Sequence, residues 1–295
     1  MIKQICKLTC IALPLLLTSC IKSDYDTENC WGQYTITPIT PEELGQGSHV
    51  ELKNTNTTLI FPDGNARQTE VGSDKVLQLY KGRHTAIPVK GTDDKVKING
   101  KEVRVQTDAN SIISDVPDFV GGYRDLDIPT TTPDWGITNY DVPTFVQSRQ
   151  LILKVKFEGN NVPFINSFSG IIGGITVSRD LNKAFVNNGT SDHPALESSL
   201  VKYALTDLDS EGYHTGTHRL LGVAGNGSQT LALTVNYNGG LQKAFTFDVT
   251  KSLDGFHTKD VMTPWVIKIL IHLGADFQAE IVDWQEGPIT NLEAH

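Results

Sequence analysis

The run Asp207-Leu208-Asp209-Ser210-Glu211-Gly212 sets carboxylates at positions 1, 3 and 5 and a glycine at position 6, the opening of a calcium-binding loop. Position 12 of that pattern calls for a bidentate acid, but here it is His218, and no helical pattern flanks the run. A solvated turn between strands accounts for the same residues, so Asp207, Asp209 and Glu211 are a weak calcium candidate and no metal is expected. His214 and His218 have the i, i+4 spacing that would aim two imidazoles at one zinc ion from a helix. Thr215, Gly216 and Thr217 between them argue against a helix, and without one the two rings need not converge. Gly222, Gly225 and Gly227 lack the spacing of a dinucleotide fingerprint. The stretch "SFSGIIGG" lacks the preceding glycine and the strand–turn–helix context of a nucleophile elbow. With no nucleophile–base constellation and no cofactor motif, the sequence predicts a protein that is not an enzyme.

One residue does sit in a reactive context. Lys3 and Lys7 precede an apolar run from Leu8 to Leu17, broken only by Thr9, Cys10 and Pro14. The run is shorter than the roughly 20 residues that span a bilayer, but it suits the core of a signal peptide. Its ending, Leu17-Thr18-Ser19-Cys20, resembles a bacterial lipobox, in which the cysteine thiol receives a diacylglycerol and the chain is cut just before it. Residues 1–19 are therefore expected to be a lipoprotein signal peptide, cut between Ser19 and Cys20, with Cys20 lipidated. Residues 20–32 are short, polar and acidic, and read as a flexible tether. Within them Lys22-Ser23-Asp24 resembles the acidic export signal that sends Bacteroidetes lipoproteins to the outer face of the outer membrane, although a plain solvated linker would look similar. The expected location is the outer membrane, held by lipid and exposed at the cell surface.

The chain of 295 residues carries 25 basic and 34 acidic side chains, a net charge of −9. Cleavage before Cys20 would remove Lys3 and Lys7 and no acid, leaving 23 against 34 and a net −11. Such a balance excludes a nucleic-acid binder, which needs a basic face to displace counterions. It also disfavours electrostatic docking on anionic lipid, so outer-membrane lipid would be reached through the acylated Cys20. Cys6 and Cys10 would leave with the signal and Cys20 would be acylated, which makes Cys30 the one remaining thiol and rules out an internal disulfide.

The elements that must carry any function are strands. Short stretches alternate apolar and polar residues and are separated by Gly, Pro, Asn and Asp. "LILKVKFEG" sets Leu151, Leu153, Val155 and Phe157 on one face. "TLALTVNYNGGLQKAFTFDVT" reads as a hairpin turning at Asn238-Gly239-Gly240. "WVIKILIHL" is apolar on both faces, as a central, well-covered strand would be, and "AEIVDW" is a final strand. "KVKINGKEVRVQ" is a second hairpin, through Asn99-Gly100. Between Ser111 and Gln150, Pro129, Pro133 and Pro143 are expected to prevent regular ladders, which marks a boundary. The fold expected is all-β, with an N-terminal β-sandwich at 33–147, a C-terminal β-sandwich at 148–286 and a tail at 287–295. Of the four tryptophans, Trp265 and Trp284 fall within strand patterns, and only Trp135 in the Pro-rich stretch is a candidate exposed aromatic platform.

Several phrases, "QSRQLILKVKFEG", "FINSFSGIIGGITVSRD", "HRLLGVAGNGSQTLALTVNYNGG" and "AFTFDVTKSL", resemble the fimbrillin-like lipoproteins of Bacteroidales, the accessory and anchor subunits of type V fimbriae. The resemblance implies two tandem transthyretin-like, Greek-key sandwiches, a lipid anchor, and other fimbrial subunits as partners through β-strand donation or acceptance. It also implies that polymerising members are trimmed at Arg or Lys while anchor subunits are not. Lys53, Arg67, Lys75 and Lys81 are candidate cut sites, none of them distinctive, which favours an anchor or accessory subunit. The alternative is a surface glycan-binding lipoprotein of a polysaccharide-uptake system, which would need two or three exposed aromatics on one face.

Overall fold

Period-two alternation builds nearly every element of the computed structural model, which describes residues 31–40, 50–129, 136–182, 198–205, 207–224, 228–257, 261–274 and 279–288. The first half forms β1 (Trp31–Thr40), β2 (Val50–Glu51), β3 (Thr55–Ile60), β4 (Ala66–Val71), β5 (Leu77–Tyr80), β6 (Gly82–Lys90), β7 (Val96–Asn99), β8 (Glu102–Val105), β9 (Val120–Gly122), β10 (Arg124–Ile128) and β11 (Thr138–Val146). The second half forms β12 (Arg149–Glu158), β13 (Ile165–Thr176), β14 (Ser178–Asp180), β15 (Ser198–Ala204), β16 (Asp207–Leu208), β17 (His214–Leu220), β18 (Thr230–Tyr237) and β19 (Gln242–Asp248). A single-turn helix α1 (Thr250–Leu253), β20 (Trp265–Leu273) and β21 (Ala279–Pro288) follow. The expectation of an all-β fold holds.

In the second half a five-stranded sheet, ordered β16-β17-β12-β20-β21, faces a four-stranded one, ordered β15-β13-β18-β19. Every second residue of β12 from Leu151 to Phe157, and of β20 from Ile267 to Leu273, is buried between them with Leu231, Leu233 and Val235 of β18. The hairpin β18–β19 turns where expected, with Gly239 and Gly240 both at positive φ (85° and 84°), backbone that glycine adopts without steric cost. The hairpin β7–β8 turns through Gly100-Lys101, with Gly100 at φ 58°, as a type II′ turn requires of its first central residue.

The first half is organised around a sheet ordered β2-β1-β11-β9-β6-β3-β4, with β10 pairing the start of β6 and β5 lying beside β1. Its own core is small: Tyr34, Ile36, Leu59, Val71, Leu79, Ala86, Leu126, Ile128 and Val142. In both halves the first strand pairs in parallel with a distant late strand, β1 with β11 and β12 with β20. Such pairings close long loops and are invisible to local pattern reading.

One expectation fails. Pro143 does not prevent a ladder; it lies inside β11, in register with Ile39 of β1. Pairing with β9 begins only at Thr144, so a missing N–H on that side at Pro143 breaks no bond. Much of the stretch from Ser111 to Gln150 is therefore sheet. The segment between β11 and β12 is only two residues long, and both are fully buried. Gln147 donates to the carbonyls of Gly121 (3.0 Å) and Leu181 (3.3 Å), and Ser148 donates to that of Pro117 (2.8 Å).

The halves also share structure. β14 of the second pairs with β8 of the first, making a three-stranded sheet β14-β8-β7. Ile87, Val96, Val103, Phe119 and Val146 of the first half belong to the same buried cluster as the core of the second. At Gly121 a Cβ would sit 2.8 Å from Leu181 Cδ2, so the halves approach closely there.

Candidate functional site

The sequence-predicted residues fall apart as a chemical site. Asp209 and Glu211 sit on the turn between β16 and β17, and lysines hold them. Lys154 Nζ donates to Asp209 Oδ2 (2.8 Å) and Lys268 Nζ to Glu211 Oε2 (2.8 Å), while Tyr213 lies against both Lys156 and Lys268. Asp209 Oδ1 accepts the backbone N–H groups of Glu211 and Tyr213 (2.9 Å each), fixing the turn. Burial pushes the Asp209 carboxyl up, but the Lys154 ammonium and those N–H groups more than offset it and hold the group below the usual carboxylate range. Lys268 holds Glu211 down in the same way. Asp207 lies in β16, its backbone paired with Thr215. The acidic turn is thus a counter-charge for two lysines, Lys154 of β12 and Lys268 of β20. A chelator is expected to leave the melting temperature unchanged; a fall restored by added calcium would show a metal here.

His214 and His218 lie four residues apart on the extended β17, about 13 Å along the strand, and do not converge. His214 packs edge-on against Phe168 (4.6 Å between centroids), while His218 packs against Tyr203 (6.0 Å) and lies 3.2 Å from Asp115 Oδ1. A third imidazole, His84, is fully buried and meets the Tyr80 carbonyl through Nε2 (2.7 Å). Burial lowers all three below the ordinary imidazole value, and for His218 the Asp115 carboxylate only partly offsets it. The unfolded chain therefore binds these protons first, near pH 6.5. Stability should fall as pH drops below that, by up to about 1.4 kcal/mol per pH unit for each proton taken up on unfolding. Urea titrations at about pH 7.5 and 5.5 check this; equal midpoints would contradict it, and His84→Phe should shallow the dependence.

Gly222 belongs to packing, since a Cβ there would meet His257 Cε1 at 2.6 Å. Ser167 and Ser169 lie within β13, which is a continuous strand rather than an elbow. Ser19, Cys20, Lys22, Ser23, Asp24, Cys30 and Trp135 lie outside the described residues.

What the fold does bring together is a set of strand edges treated unequally. One side of the second-half sandwich, the side of β15 and β17, is sealed by residues 111–116 of the first half. The N–H of Ile113 donates to Leu200 O (2.9 Å) and that of Leu200 to Ser111 O (3.1 Å), and Ser199 Oγ also reaches Ser111 O. The N–H of Val116 donates to Arg219 O (3.2 Å), and Asp115 Oδ1 accepts the Arg219 N–H (2.7 Å). The opposite side carries β19 and β21, each paired on one edge only among the described residues. Along β19, Lys243, Phe245 and Phe247 point half-buried toward the core while Ala244, Thr246 and Asp248 face solvent. A seven-residue edge with a regular row of backbone donors and acceptors is what an added strand pairs with. The final strand was read from the sequence, but the seal was not. Its one local signal is the turn at Asp108–Ser111, where Asp108 Oδ1 accepts the N–H groups of Asn110 and Ile112 and Ser111 adopts φ 61°.

No protein-family model matches this sequence, and no curated protein does. Solved structures do match. The fimbrial anchor protein Mfa2 from Porphyromonas gingivalis superposes with a TM-score of 0.60 at 10% identity, over 88% of this chain and 98% of that one. Two adhesin candidates from Bacteroides ovatus superpose with TM-scores of 0.56 and 0.54 at 8% and 13% identity, over 88% and 90% of this chain and 96% and 98% of theirs. The fimbrillin-like resemblance read from the sequence is matched in three dimensions: this chain has the fold of that fimbrial anchor protein and of those adhesin candidates.

Proposed function

We propose that this chain is a cell-surface fimbrial anchor or accessory subunit, built of two sandwich units (33–147 and 148–286) and attached to the outer membrane through lipid on Cys20. Its partners are other fimbrial subunits, joined by strand donation or acceptance at the open side of the second sandwich. The reading rests on the unequal edges: one side is closed by the chain's own residues 111–116, while β19 and β21 remain single-sided among the described residues. Pairing of a further strand along β19 would supply backbone hydrogen bonds, and the alternation about Phe245 and Phe247 would set its register. The fold shared with a fimbrial anchor protein supports the same assignment.

Deleting the gene tests it. Fimbriae should be lost, shed or altered in length, and complementation with the native gene should restore them. Complementation with Cys20→Ala should send the protein to the soluble fraction and leave fimbriae unattached. Unchanged fimbriae in the deletion strain would overturn the proposal; a Cys20→Ala protein still bound to the membrane would overturn the anchor.

A further inference from the structure

A groove of about 490 Å³ lies on the first half, on the outer face of β3, β4 and β6 where the hairpin β7–β8 overhangs it. That volume is within the roughly 300–1,000 Å³ of small-ligand sites. Its floor is aliphatic, made by Ile60, Ile87, Val89 and Ile98. Its walls carry neutral hydrogen-bonding side chains: Asn54, Asn56, Thr58, Gln68 and Asn99. Among the described residues no carboxylate and no aromatic ring lines it, in a chain with 34 acidic residues.

We propose that this groove binds a neutral oligosaccharide. An amide offers a donor and an acceptor side by side, the pair that a sugar's adjacent hydroxyls complement, and the aliphatic floor takes the apolar C–H face of a pyranose, the part that the exposed aromatics of a glycan-uptake lipoprotein would play. The side-chain amides of Asn56 and Asn99 make no hydrogen bond within the described protein, which leaves them for a ligand. The walls are set in advance: Gln68 Nε2 donates to Thr58 Oγ1 (2.7 Å), and Asn54 holds φ 54°. Other ligand classes fit less well. A cation would find no carboxylate. An anion would find only Lys90, whose ammonium already donates to the Lys53 carbonyl (3.3 Å). A peptide would gain no backbone ladder from β3, paired with β4 and β6, or from β6, paired with β3 and with β9 and β10; β4 and β7 are paired on one side only among the described residues, so a peptide is the competing occupant. The groove is on a different half from β19 and β21, so it can bind whether or not the chain assembles into fimbriae.

The test titrates the purified protein calorimetrically with maltohexaose, cellohexaose, laminarihexaose and mannohexaose, and in parallel with an oligogalacturonate and an unstructured uncharged peptide. At least one neutral hexasaccharide should bind at millimolar concentration or below. The double variant Asn56→Ala/Gln68→Ala should weaken that binding about tenfold or more, the loss of one or two good hydrogen bonds, with the melting temperature unchanged. Both side chains are exposed on a sheet surface, so the fold should tolerate the change. No heat from any neutral sugar, an unaltered affinity in the variant, or preference for the oligogalacturonate or the peptide would each overturn the inference.

Discussion

Replacing Arg149 with alanine is expected to destabilise the protein by about 4 kcal/mol, the sum of two charge-assisted hydrogen bonds and their packing. Arg149 opens β12 and is fully buried. Its Nε donates to Thr263 O (2.9 Å) and its Nη1 to Phe256 O (2.6 Å), which ties the turn after α1 to the start of β20. The guanidinium also lies over the rings of Phe256 (5.7 Å) and Trp265 (5.1 Å), a geometry in which its flat, delocalised charge is favoured. Alanine removes both donors and leaves a cavity among apolar groups. Lysine keeps the charge but not the planar fork, so Arg149→Lys should fall between the two. Urea unfolding measures the change; a loss under about 1 kcal/mol for alanine would show that the guanidinium only breaks even against its burial.

Phe119→Ala is expected to cost about 3–5 kcal/mol and to move the unfolding of the whole chain. Phe119 belongs to the first half, yet it is 1% exposed within the cluster that forms the second-half core. Its carbonyl accepts the N–H of Gln147 (3.1 Å), and Gly91 leaves no room for a side chain beside it, since a Cβ would meet Asp118 O at 2.4 Å and Phe119 Cα at 3.2 Å. With β14–β8 pairing and the seal at residues 111–116, little of the contact between the halves could open without exposing apolar core. Calorimetry of the native protein should therefore show a single transition, and the variant a single transition at lower temperature. Two resolved transitions, with only one displaced, would show that the halves unfold separately.

The sequence by itself determined the class of structure and most of its parts. Alternation in "LILKVKFE" placed the buried face of β12, because a side-chain period of two leaves one burial solution per strand, whereas in "WVIKILIHL", apolar on both faces, the structure chose the face of Ile267, Ile269 and Ile271. Gly239-Gly240 and Gly100 fixed two hairpins, because positive φ is open to glycine at no steric cost. These are local constraints, and local sequence states them. The tertiary structure decided everything that joins distant residues. It set Lys154 and Lys268 against the acidic turn, which made a calcium-like pattern into a pair of salt bridges. It carried Pro143 into a ladder, buried Arg149 and the two-residue join before it, and laid Ser111–Val116 along one side of a sandwich whose other side ends, among the described residues, in β19 and β21 paired on one edge each. It also set Asn56 and Gln68 opposite Asn99 across one groove. Each of these depends on which strands pair across 40 to more than 100 residues of chain, and that choice is made by the fit of whole faces, which no short stretch of sequence records.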